Sequence, residues 1–157
     1  MKRFSKFILF SFLSVFLIGM LSLSDIPPSF QKVYAQGSYS NDVQMLARCV
    51  NGEARGEEYV GQVAVAAVIL NRVEHSSFPN TIAGVIYQPG AFTAVSDGQI
   101  DVPIDPNSTV YKACQDAMNG WDPSGGAIYY YNPAKTTSKW IYSREVICRI
   151  GNHVFAR

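Results

Sequence analysis

Residues Asn51 to Glu58 read Asn-Gly-Glu-Ala-Arg-Gly-Glu-Glu, three carboxylates and a guanidinium set among two glycines. Apolar stretches flank them on both sides. Charge wedged between two core elements is costly unless it is hydrogen-bonded, paired or used in chemistry. Val43, Leu46, Ala47 and Val50 follow the spacing i, i+3, i+4, i+7 of a helix with one apolar stripe, and Ala54 extends it by a turn. Glu53 comes three residues after Val50. It therefore stands in or just past the last turn of this helix, near its buried side. A carboxyl group partly withdrawn from water keeps its proton more readily and can serve as a general acid. The competing reading is a helix-end carboxylate paired with Arg55 or Arg48. Glu57 and Glu58 suit the N-terminus of the next helix, where negative charge is favoured.

Little else in the chain has the residue types for catalysis. His75 and His153 are the only histidines, and only Glu74 beside His75 is a nearby carboxylate. Neighbours in sequence point to different sides of a helix, so we expect no metal site and no cofactor. No Ser-His or Cys-His pair is legible. Cys49, Cys114 and Cys148 are 65 and 34 residues apart, a spacing that matches no zinc motif. Each reads as a structural thiol, with room for one disulfide among the three.

The elements that would position Glu53 belong to one domain, since 157 residues do not divide comfortably into two. A hydrophobic content of 48% with 16% charged residues fits a packed core. Lys2, Arg3 and Lys6 precede an apolar run from Phe7 to Leu23, and Val33-Tyr34-Ala35 offers a cleavage site. Residues 1–35 thus read as an export signal, leaving 36–157 as the exported domain with no stable membrane insertion. The alternative is a retained anchor, for which the run is at the lower limit of length. Without residues 1–35 the chain has 9 basic and 11 acidic residues, a net charge of −2. No basic surplus or stripe points to nucleic acid.

Ser40 or Asn41 can cap the first helix. A second starts near Glu57 or Glu58 and contains Val63 to Leu70, an unbroken apolar run that predicts a central helix buried all round. A short helix is expected over Thr81 to Tyr87. Gln88 to Pro106 reads as a long loop punctuated by Pro89-Gly90, Asp97-Gly98, Pro103 and Pro106. Asn107 or Ser108 caps a helix with the stripe Val110, Ala113, Cys114 and Ala117, and Gly120 stops it. Ala127 to Tyr131, Trp140 to Tyr142, Glu145 to Ile150 and His153 to Phe155 read as short strands, the last two joined at Gly151-Asn152. Helices first and a small antiparallel sheet last make an α+β fold.

Asn51 to Glu57, followed by Gly61-Gln62-Val63-Ala64-Val65-Ala66-Ala67-Val68-Ile69-Leu70-Asn71-Arg72-Val73, resembles the cell wall hydrolase family of spore cortex-lytic enzymes. The similarity continues through Tyr87 to Phe92, Gly125 to Pro133, Trp140-Ile141 and Ile150 to Phe155, so it covers about residues 42–156. The resemblance implies a lysozyme- and lytic-transglycosylase-like α+β fold and one essential glutamate, which maps onto Glu53. It implies cleavage of the bond between N-acetylmuramic acid and N-acetylglucosamine, often in spore cortex during germination. Family members usually carry a peptidoglycan-binding domain between signal and catalytic domain. About six residues separate Ala35 from the expected first helix here, which leaves no room for such a module between them. The resemblance also implies that an accessory protein can localise the enzyme, and we expect a monomer.

A transglycosylase needs one carboxyl group, which first gives a proton to the leaving oxygen and then takes one from the muramic acid 6-hydroxyl. Hydrolysis needs a second carboxylate, for which Asp97 and Asp101 in the long loop are the candidates. A third reading is a wall-binding protein that keeps the cleft without turnover. Sugars bind through aromatic faces and side-chain amides. Phe92, Thr93, Tyr130, Tyr131, Asn132 and Trp140 are the expected contacts with peptidoglycan glycan strands. Alternation places Tyr129 and Tyr131 on one face of a strand and Tyr130 on the other.

Overall fold

The computed structural model describes the backbone of residues 28–157 and the side chains from Ala35 onward. The chain divides into two units, Met1–Gln36 and Gly37–Arg157. The described part of the first is helical. The apolar run of the expected export signal lies outside the described residues. Among the described residues, no helix is long and apolar enough to cross a membrane.

Helix α1 (Pro28–Ala54) carries the predicted stripe: Val43, Leu46, Ala47 and Val50 are fully buried and Ala54 nearly so. It does not start at Ser40 or Asn41. The turns before them continue into the same helix, because nothing at these positions breaks the backbone ladder and a cap is only a preference. Helix α2 (Tyr59–Glu74) is the centre of the core, buried at every position from Gly61 to Ile69. It packs against α5 (Thr109–Met118), α3 (Ile82–Ile86) and the sheet. Burying each of Val63, Val65, Val68 and Ile69 contributes roughly 1.5–3 kcal/mol, so this helix anchors everything around it. Glu58 is its N-cap. Glu57 stands outside the helix and has another role, described below.

Ser108 caps α5 by accepting from the Tyr111 N–H, and Thr81 caps α3 by accepting from the Gly84 N–H. The segment from Gln88 to Pro106 is not a featureless loop. It holds one turn of helix, α4 (Thr93–Ser96), and a 3-10 turn at Gln99–Asp101. Each is a single turn, too short for a periodic apolar signature.

Strands β1 (Tyr129–Tyr131), β2 (Val146–Ile150) and β3 (His153–Ala156) form an antiparallel sheet in the order β1-β3-β2. Tyr130 pairs with Phe155, and Ile150 with His153 across the turn. Gly151 turns the chain at φ +55°, a conformation that suits glycine. Trp140 to Tyr142 is not a strand: Lys139–Ser143 is a 3-10 turn whose Ile141 is buried with Tyr131 and Val154. One inward residue with exposed neighbours on both sides mimics a strand in sequence. The disulfide that the sequence allowed is not formed, and all three cysteines are free thiols. Burial pushes the Cys49 and Cys114 thiols up, assisted at Cys49 by the neighbouring Glu53 and Cys114, so both remain uncharged core residues.

Candidate active site

An open groove of about 980 Å³ runs between the end of α1 and the sheet. Glu53 stands on its helical wall, in the last turn of α1 as the stripe predicted. Neither Arg55 nor Arg48 pairs with it. Arg55 donates to the Gln99 side chain, and Arg48 reaches the Ile100 carbonyl at 3.5 Å. The Glu53 carboxylate is held instead by three neutral donors. Its Oε1 accepts from the Thr93 hydroxyl at 2.7 Å and from the Ala94 N–H at 3.1 Å. Its Oε2 accepts from the Tyr130 hydroxyl at 3.1 Å. Burial, and next the Glu53 carboxylate itself, hold the Tyr130 phenol well above its usual pKa, so it stays a donor through the neutral range.

Local sequence explains how the donors arrive. Helix α4 begins at Thr93, so the free N–H of Ala94 in its first turn points out of the helix toward the carboxylate. Its close approach depends on Gly52: a Cβ there would stand 2.6 Å from Ala94 Cβ. Local propensity assigns Gly52 only a weakening of the helix. Its use is to let α4 touch α1.

The sheet wall supplies Tyr130, Tyr131, Asn132 and His153. Tyr130 points to the helical core and Glu53, whereas Tyr129 and Tyr131 belong to the small cluster on the other face. Tyr131 is nearly buried yet forms part of the groove edge. The Asn132 side chain accepts from the Ala134 N–H, which fixes the turn after β1. Two of the expected sugar contacts do not line the groove. Phe92 is a core residue, 4% exposed, lying 5.3 Å beneath the Arg72 guanidinium. Trp140 is half exposed outside the groove, against the Tyr129 ring and the Arg144 guanidinium. A bulky apolar residue beside a polar one in a loop could serve core or cleft, and only long-range packing distinguishes them.

Several groove residues were not singled out from the sequence. Arg72 lines it, with Nε donating to the Ile128 carbonyl at 2.8 Å. Burial lowers its pKa, against the pull of Tyr130, Tyr129, Cys49 and Glu53. Lys135 and Asn152 line it as well. Glu57 does too, but its carboxylate is occupied. It accepts from the Asn152 N–H and from Asn152 Nδ2, both at 3.0 Å. Burial pushes Glu57 up, but the Asn152 bonds, His153 and Lys135 outweigh it and hold its pKa below the ordinary 4.5. His153, 3.5 Å away, is pulled below its usual value by burial despite the two carboxylates near it. No spacing rule joins residues 57 and 152, so only the fold could reveal this pair.

Asp97 and Asp101 are not in the groove. Asp97 binds the Gln99 N–H and side chain, closing its own turn, and Asp101 lies in the following 3-10 turn. Among the described residues, no group of three or more histidine, cysteine, aspartate or glutamate side chains is placed to hold a metal ion.

Comparison with known proteins gives the family and the fold. The family model described as cell wall hydrolase matches residues 56–156, more than half of the chain, beginning just after Glu53. A spore cortex-lytic enzyme of Bacillus cereus is 57% identical over 132 residues, which are 83% of this chain and 50% of that protein. The chain thus spans about half the length of that relative. The cell wall hydrolase CwlJ of Bacillus subtilis is 30% identical over 121 residues, 74% of this chain and 84% of that protein. Among solved structures, the catalytic domain of the germination-specific lytic transglycosylase SleB from Bacillus anthracis superposes with a TM-score of 0.71 and 62% identity. That match covers 74% of this chain and 94% of the other. The lysozyme-like α+β class follows from it. By sequence and by fold, this chain belongs to the cell wall hydrolase family.

Proposed function

We propose that the chain is a lytic transglycosylase that cuts the bond between N-acetylmuramic acid and N-acetylglucosamine in peptidoglycan, with Glu53 as its single acid and base. One observation carries this reading. Of the two carboxylates in the groove, Glu57 is committed to the β2–β3 turn, and only Glu53 faces the open space on neutral donors. A glycan strand lying between the walls meets one carboxyl group. That suits a mechanism in which the same group acts twice.

The donor set supports a division of roles between the two oxygens. Oε1 already accepts two hydrogen bonds and has little capacity for a transferable proton. Oε2 accepts one, from Tyr130, and so carries the proton. Oε2–H protonates the glycosidic oxygen as the bond from that oxygen to the muramic acid C1 breaks. The positive charge that develops at C1 is stabilised by the new carboxylate. The carboxylate then removes the proton of the muramic acid 6-hydroxyl as O6 attacks C1. The product is a 1,6-anhydro end, and Glu53 regains its starting proton. Thr93, Ala94 and Tyr130 hold the carboxylate in place through both steps, which is the contribution of preorganised donors.

Tyr131 and Asn132 would contact the sugar from the sheet wall, with Arg72 and Lys135 beside them. Phe92 would act only by supporting Arg72, and Trp140 only on strands that leave the groove. The spore cortex enzymes among the relatives favour cortex as the substrate, during germination. The basic and apolar N-terminus supports export to that compartment. A monomer suffices, because one chain supplies the whole groove. The test is release of soluble fragments from purified cortex by the wild-type protein and by Glu53→Gln. The reading requires release by the first and its loss in the second, with binding to cortex retained. Equal release by both would remove Glu53 from the mechanism; cortex bound but uncut by both would mean a wall-binding protein.

A further inference from the structure

We propose that Glu57 is a positioning residue for the Glu53 acid, acting through the β2–β3 turn and Tyr130. The role rests on the transglycosylase reading above. The Glu57 side chain is 8% exposed, although the residue as a whole is half-buried at the groove edge. Both of its oxygens are bound to the same residue, Asn152, one through the backbone N–H and one through the side-chain amide. Two glycines leave space for it. A Cβ on Gly151 would overlap Glu57 Oε2, and a Cβ on Gly61 would stand 3.0 Å from Glu57 Cβ. A Gly-Asn hairpin turn closes without a distant carboxylate. What Glu57 adds is a fixed place for this turn against the end of α1, and so a fixed place for His153.

His153 passes that placement on. Its ring meets Tyr130 edge-on at 5.3 Å and 82°, while Phe155 packs on the same tyrosine at 6.2 Å. His153 Nδ1 is buried without a hydrogen bond and faces Glu57 Oε1 at 3.5 Å, so the ring is held by the carboxylate's placement and by the turn rather than by a bond of its own. The turn held by Glu57 fixes it. Tyr130, walled by His153, directs its hydroxyl at Glu53 Oε2, the oxygen that exchanges the proton. Release of the turn would let the ring of Tyr130 drift, and small misplacements near reacting atoms are expensive in rate.

The test is a double-mutant cycle of Glu57→Ala and Tyr130→Phe, with kcat and KM measured separately on cortex glycan. Thermal unfolding of each variant and the 13C resonance of the Glu53 carboxyl accompany it. In the wild-type background Glu57→Ala lowers kcat by about tenfold with KM within about twofold. In the Tyr130→Phe background the same change costs nearly nothing, because the group it acts through is gone. The Glu53 resonance moves in Glu57→Ala. Losses that add in the two backgrounds, or an unchanged kcat in a folded Glu57→Ala, would overturn the proposal. If Glu57→Ala does not fold, Asn152→Ala removes one of the two bonds and must show the same pattern at smaller size. Should the wild type cut no glycan, the transglycosylase reading fails by itself. The NMR arm then decides the positioning claim: a Glu53 resonance unmoved by Glu57→Ala contradicts it.

Discussion

The helical wall of the groove offers Glu53 from the last turn of α1, steadied by the first turn of α4, whereas the sheet wall offers Tyr130 and Asn132 from β1 and the residue after it, and His153 from the start of β3. On the helical side the carboxylate grows directly out of the core: Val50 and Ala54, beside it in the same helix, are buried. On the sheet side the placement depends on pairing over long sequence distances, Tyr130 with Phe155 and Glu57 with Asn152. The two carboxylates follow the same division. Glu53 is bound by hydroxyls and one amide and faces open space, while Glu57, four residues later and equally half-buried, is bound to the opposite wall. Both carboxylates line the same groove, yet only Glu53 is left without a partner from the opposite turn.

Removing the free acid has the largest expected effect. Glu53→Gln keeps the shape and the acceptor Oε1 but cannot cycle a proton, so activity on cortex falls by about 10³-fold or more with the melting temperature little changed. Tyr130→Phe comes next. It deletes a hydrogen bond to a charged group, worth roughly 1.5–3 kcal/mol, and lowers kcat by about 10- to 100-fold. A Tyr130→Phe loss as large as that of Glu53→Gln would mean that the phenol takes part in proton transfer itself.

The contrast between the walls also explains what could be read from the sequence. Glu53 was legible because a helix repeats every 3.6 residues: Val43, Leu46, Ala47 and Val50 fix the buried face, and position 53 follows from it. The central helix was legible from its composition and the cap at Ser108 from local chemistry, whereas the cap at Thr81 was not singled out. The sheet wall was legible only as strands. Alternation separated Tyr130 from Tyr129 and Tyr131, but which face met the helices is a tertiary fact. Glu57 was misplaced in helix α2 for the same reason, since its partner lies 95 residues away and no local rule favours it. Trp140 and Phe92 looked like sugar contacts because aromatic rings serve core, surface and cleft with equal chemistry.

Gly52 tests the contact between α1 and α4. Gly52→Ala gains roughly 1 kcal/mol of helix propensity. It also pushes a Cβ into Ala94, an overlap that typically costs about 1–3 kcal/mol. Chemical denaturation should show a small net loss of stability, with a larger loss of activity as the Ala94 N–H leaves Glu53. Unchanged activity would mean that this donor is dispensable.

The smallest effect is on acid stability, and it concerns Glu57. Its folded pKa lies below the ordinary 4.5 because the Asn152 bonds overcome burial. A depressed folded pKa makes stability that is present above the unfolded value and is lost as pH falls through the folded one. The melting temperature of the wild type should therefore drop more steeply below pH 4.5 than that of Glu57→Gln, with the two curves parallel near neutrality. Parallel curves throughout would mean that the Asn152 bonds do not depend on the charge.

In the proposed mechanism one carboxyl group does all the proton transfer and water is not the nucleophile. Digestion of purified cortex in water enriched in oxygen-18, followed by mass spectrometry of the released fragments, tests it most directly. A single-acid mechanism gives 1,6-anhydro-muramic ends free of the heavy isotope. Reducing ends that carry oxygen-18 would contradict it and would require a second carboxylate, such as Asp97 or Asp101, to reach the groove.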